Sequence, residues 1–178
     1  MNLHPIFVHF PIALFTLYAL LEFLRFNKIQ NQPYFFYLKA FLVMTAGLGA
    51  LASYATGDQP AHIMRTTIKA DPALRATLFW HENFAKLTVA LIGLNAAAYF
   101  VAWLQREEFL RWPANSAWEK IWLWLVKIDN SVINSRWIVA LAIAAFISVS
   151  VTGGLGGILA YGDKADPFFA YFYHLFIK

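Results

Sequence analysis

Four stretches of the chain stay apolar over roughly twenty residues, the length a helix needs to cross a hydrocarbon core. They run from about Pro5 to Phe26, Tyr34 to Gly57, Phe84 to Leu104 and Trp137 to Tyr161. None alternates apolar with polar positions, so membrane strands are not expected. Between the third and fourth stretches the pattern changes. Ser116 and Glu119 have the spacing of a capping box, and Trp118, Ile121, Trp122 and Leu125 then share one helix face, with Lys120 and Lys127 turned away. This predicts an amphipathic helix over about residues 117–129, lying in the membrane interface or packed on the ends of the spans. The closing segment DPFFAYFYHLFIK starts with a good helix signal at Asp166 and Pro167. It is too short to span, and it would lie in the interface or dock on a neighbouring subunit. No Lys or Arg precedes the first run and no small-residue cleavage site follows it, so that run is expected to be a retained span.

The pattern repeats. HPIFVHFPIALF in the first span lines up with HENFAKLTVALI in the third, setting His4 on His81. TAGLGAL in the second lines up with TGGLGGI in the fourth, setting Thr45 on Thr152 and Gly49 on Gly156. The fold class expected is therefore all-α: an integral membrane four-helix bundle of two repeated helix pairs. One interfacial amphipathic helix and a short C-terminal helix complete a single domain over residues 1–178.

Composition sharpens this picture. Of the 178 residues 60% are hydrophobic, 18% aromatic and only 13% charged. That balance suits a polytopic membrane protein. With no cysteine, disulfides, thiolate metal sites and thiol redox chemistry are excluded. The net charge of +4 is scattered, with no basic stripe, so nucleic-acid binding is not expected. Lys and Arg in the connections place the termini outside by a thin margin. Six of the seven tryptophans (Trp103, Trp112, Trp118, Trp122, Trp124 and Trp137) then form a belt on or near the inner side. No nucleophile–base set, phosphate loop or carboxylate pair supports a stand-alone enzyme.

Small and polar residues within the spans carry the remaining signals. Thr45, Gly49, Ser53 and Gly57 make a row of little bulk on the second span, and Ser148, Thr152, Gly156 and Ala160 make another on the fourth. Such rows let helices approach closely, or let a planar cofactor lie against backbone. Asn95 should find an interhelical partner, Lys86 can snorkel, and Glu22 has Arg25 one turn away as a candidate partner. His4, His9, His62, His81 and His174 all fall on the outer side in this topology. His4 and His9 lie five residues apart, off a common face, so each would need a partner from another helix. Pro11 frees the carbonyl of Phe7 and kinks the helix near His9. His81 would sit on a helix that begins earlier, with Asp71 as N-cap and Pro72 in its first turn.

Two imidazoles from different spans beside the glycine rows suit a b-type heme, with His9 and His81 as axial ligands, His4 nearby, and Gly49 and Gly156 giving room. His9, His81 and His4 would equally suit copper or zinc, joined by Asp58, Glu82 or Asp163. Structural hydrogen bonding at helix mouths is the plain alternative.

The opening H-P-x-x-V-H-F-P-I-A-L resembles the signature of a bacterial family of four-span membrane proteins known as domain of unknown function 2231. ATGD at the end of the second span, the histidine of HENF and VTGGLGGILAYG resemble that family too, covering most of the chain from His4 to Gly162. The family often has a histidine after its final tyrosine; here Tyr161 is followed by Gly162, so the resemblance implies no four-histidine, two-heme arrangement. It implies a bacterial inner (cytoplasmic) membrane location, with a layout similar to small b-type membrane cytochromes. Three readings stay open: a heme b electron-transfer or quinone-interacting subunit, a structural or accessory subunit of a larger membrane complex or homo-oligomer, and a histidine-lined metal or small-solute passage.

Overall fold

The computed structural model describes residues 4–24, 32–57, 65–110, 112–162 and 167–177. Their ordered elements are all helices: α1 (His4–Phe23), α2 (Pro33–Thr56), α3 (Arg65–Ala70), α4 (Pro72–Arg106), α5 (Ala117–Ile133), α6 (Trp137–Tyr161) and α7 (Pro167–Phe176). Local chemistry sets their ends. Proline occupies the first turn of α2 and of α4, where its missing N–H costs nothing. The Asp71 carboxylate accepts from Ala73 N at 2.8 Å. With that cap, α4 begins well before the apolar run at Phe84. Ser116 Oγ accepts from Glu119 N at 3.1 Å and starts α5. The Glu119 carboxylate reaches back to the backbone N–H of Asn115, one residue earlier than a standard capping box would place it.

α2, α4 and α6 are long and apolar enough to cross a membrane; in α1 the qualifying apolar run, Val8–Phe23, is shorter. The outward faces carry Phe41, Leu48, Leu94 and Ile147, all well exposed. α1, α2, α4 and α6 form a ring in which each helix packs on its two neighbours. Pro11 meets Gly49 while Glu22 meets Lys39, so α1 and α2 run antiparallel. His81 meets Gly156 while Thr88 meets Ser148, so α4 and α6 do the same. Phe15, Tyr18, Val43, Ala46, Ile92, Tyr99, Ile138 and Ala145 close the centre.

The small-residue rows work as close-packing surfaces. A β-carbon on Gly49 would lie 3.3 Å from Pro11 Cβ and Cδ, and one on Gly47 3.2 Å from Ala96 Cβ. The two expected repeats do not pack in identical register. Pro11, the counterpart of Thr88, sits at Gly49, whereas Thr88 sits one to two turns away from the equivalent Gly156, at Thr152 and Ser148.

Two peripheral helices complete the fold. α5 packs on α4 and α6 through a narrow strip and leaves Trp118, Ile121, Trp124, Leu125 and Ile128 exposed. α7 docks on its own chain: Phe176 packs on Trp80 and Phe84, and with Tyr173 it borders the small cluster of Val151, Leu155 and Ile158.

Candidate functional site

α4 carries a polar residue at each of four levels along its core face, each partnered across the bundle. Counted from its start they are His81, Thr88, Asn95 and Tyr99, at helical spacings of about two, two and one turns. The first two bond to α6 and the last two to α1.

His81 is half-buried. Its Nδ1 lies 3.0 Å from the backbone oxygen of Thr152. A carbonyl oxygen only accepts, so Nδ1 carries a proton. Gly156 provides the space: a β-carbon there would come within 3.1 Å of His81 Cε1. Trp80 and Phe84, the α4 neighbours of His81, pack tilted and edge-on against Phe176 of α7 and cover this end with aromatic surface. Below the ring lies a hydroxyl cluster. Thr152 Oγ1 donates to Ser148 O at 2.9 Å. Each hydroxyl has one proton, so the direction of the remaining bonds follows. Thr88 donates to Thr152 at 3.0 Å, and Ser148 shares its one proton between Thr88 at 2.8 Å and the Phe84 carbonyl at 3.4 Å.

The other α4 anchors serve α1. Asn95, fully buried, accepts from Tyr18 OH at 2.9 Å and donates to Leu91 O at 2.9 Å. Tyr18 is the interhelical partner that an amide at this depth requires. Tyr99 OH donates to Glu22 Oε2 at 2.6 Å, and Lys39 Nζ donates to the same oxygen at 2.9 Å. Lys39 also lies over the rings of Phe35 and Tyr99, 5.2 Å and 5.4 Å from their centroids. Both are cation–π distances. Glu22 is 1% exposed and Lys39 6%. Glu22 thus pairs with Lys39; Arg25, the partner expected for it, lies outside the described residues. Lys39 is buried because the packing of α1 on α2 sets it against Glu22. The signal for this network was present in the sequence: Tyr18 and Glu22, and Asn95 and Tyr99, are four apart and so share a face.

The sequence-derived ligand set is distributed unevenly. His9 is exposed. At about 100° per residue it stands about 160° around α1 from Pro11. Pro11 is buried with Phe15, Tyr18 and Glu22. Ile12 Cδ1 lies 4.0 Å from the β-carbon position of Gly153. One turn further along each helix, His9 is therefore level with Gly156 and His81. The two histidines share a depth but not a face, with α6 between them. His4, the first residue of α1, occupies the register two turns before Pro11. Gly49 and Gly156 hold the rings of Pro11 and His81. Glu82 is exposed beside His81, and His174 is exposed on α7 with its ring 5.9 Å from Tyr173. Asp58, His62 and Asp163 lie outside the described residues. Among the described residues no three His, Asp or Glu side chains cluster as a metal site would require.

One further carboxyl group stands out on α5. Asp129 is buried and its Oδ2 has no hydrogen-bond partner among the described residues. Burial pushes its pKa up from 3.8 to about 6. No family model, curated protein or solved structure matches the chain. The likeness to the four-span bacterial family therefore rests on the motifs quoted for it.

Proposed function

We propose that the chain is a four-span protein of a bacterial inner membrane whose bundle holds one heme b and passes electrons to or from a quinone or a neighbouring membrane subunit. The observation that carries this reading is His81. Its Nδ1–H donates to the Thr152 carbonyl, which is how ligating histidines are commonly oriented, leaving Nε2 as the basic nitrogen. The helix opposite α4 across the ring is α1. The second ligand would come from α1, as His9 or His4. When bound, the heme would supply a one-electron carrier. The chain's own residues orient the imidazole through Thr152, make room for it at Gly156 and exclude water with Trp80, Phe84 and Phe176.

A second reading is favoured by a specific observation. Gly49 and Gly156 are each filled by a ring of the chain itself, which is what a purely structural bundle would use small residues for. A structural or accessory subunit is the function that follows. Optical spectra of purified His81→Ala, His4→Ala and His9→Ala variants separate these readings. The heme reading expects loss of the low-spin spectrum in His81→Ala and in one of the two α1 variants, with elution profile and helicity unchanged. Heme retained in His81→Ala would contradict it.

A further inference from the structure

Along the edge of α5 facing the start of α6 runs an open groove of about 510 Å³. Trp124, Lys127, Ile128 and Ser131 line it along one strip of α5, and Trp137 lines it from α6. The groove follows the boundary between the two faces of an amphipathic helix. Lys120 and Lys127 lie on the polar side, while Trp118, Ile121, Leu125 and Ile128 lie exposed on the other. In a bilayer that boundary sits at the level of the lipid headgroups. Trp137 is 75% exposed at the head of α6. An indole so placed marks the same level.

The charges agree. No carboxylate among the described residues pairs with Lys127. Glu119 is tied to the N–H of Asn115, and Asp129 is buried, so neither neutralises the groove. Ser131 Oγ donates to Lys127 O at 2.9 Å and Ser135 Oγ donates to Val132 O at 2.8 Å. Their protons are engaged inside the chain, which leaves the Lys127 ammonium as the charged donor. The positive end of the α6 dipole adds to it. A cation flanked by exposed indoles and aliphatic side chains selects an anion that carries acyl chains.

We infer that this groove binds the headgroup of an anionic phospholipid, with the phosphate on Lys127 and the chains against Trp124, Ile128 and Trp137. The inference rests on the membrane reading above but not on the heme. Retention of the protein in membranes after alkaline carbonate washing tests the membrane reading separately; release into the wash would overturn both.

The experiment is a native mass spectrometry titration of the full chain with phosphatidylglycerol and phosphatidylcholine in parallel. One lysine at a headgroup supports a preference of about fivefold for the anionic lipid. Lys127→Gln should bring that ratio close to one. Lys127→Arg should keep it, and Lys120→Gln, on the polar side but outside the groove, should leave it unchanged. A wild-type ratio of one would overturn the inference, as would an undiminished ratio in Lys127→Gln. Equal loss in Lys120→Gln would assign the preference to general surface charge. Displacement of the lipid by inorganic phosphate at millimolar concentration would assign the site to a free anion. Either result would also overturn it.

Discussion

Glu22 and Lys39 are the residues on which the bundle is least forgiving. Each is a charge removed from solvent, and each is tolerable only because the other, with Tyr99, completes it. Glu22→Ala strands an ammonium in an apolar core and is expected to cost about 3–5 kcal/mol in unfolding free energy. Replacing both at once, as Glu22→Leu with Lys39→Met, removes the unpaired charge and should recover most of that loss; denaturant unfolding in detergent of the singles and the double measures it. Asp129 behaves differently. Its carboxyl group is held up to about 6, so the folded protein keeps a proton that the unfolded chain releases near pH 4. Its folded pKa is raised, so the protein is favoured most at low pH, and that contribution is lost as pH climbs from about 4 through about 6. A shift of this size has a ceiling of about 3 kcal/mol, and screening by nearby water lowers it to about 1 kcal/mol. Asp129→Asn should therefore raise the melting temperature at pH 7 and flatten its dependence on pH across that window. Thermal scans of both proteins at several pH values check this.

At the scale of elements, close approach is the organising device. Gly49→Ala would set a β-carbon against the rigid Pro11 ring and force α1 away from α2, so a clear loss of stability is expected. Gly156→Ala would press instead on His81, and on the heme proposal its effect should appear in the optical spectrum as well as in the melting temperature. Comparing both readouts for the two variants separates general packing from the histidine site. The elements themselves were largely legible in the sequence. The apolar runs located α2 and α6, Asp71 and Pro72 located the early start of α4, and Ser116 with Glu119 located α5. α1 ends at Phe23, short of the Phe26 where the apolar run stops. The docking of α7 was not legible. Its apolar and aromatic residues suit an interface, a partner or the chain itself equally well, and only the cluster of Trp80, Phe84 and Phe176 decides for the chain.

Over the whole molecule, four helices run up and down around one core, and α4 is their common partner. Its His81 and Thr88 hold α6, and its Asn95 and Tyr99 hold α1. From His81 to Tyr99 the polar positions span about 27 Å of helix, close to the thickness of a hydrocarbon core. The partnership was only half legible. Asn95 announced a need for a partner, yet nothing in the linear sequence tells which helix lies across from it. Likewise the two glycine rows were visible, but not that Pro11 and His81 fill them. The matching motifs of the two halves were visible, but not that Thr88 bonds to Ser148 and Thr152 where its counterpart Pro11 can donate nothing.

The central claim is that this bundle carries a heme anchored on His81. Its most direct test is an absorption spectrum of the wild-type chain, purified in mild detergent from cells supplied with heme precursor and recorded before and after dithionite. The account predicts a Soret band that sharpens on reduction, with resolved α and β bands. A featureless spectrum from folded protein, with elemental analysis finding no metal, would contradict it and leave His81 as a residue that packs α4 against α6.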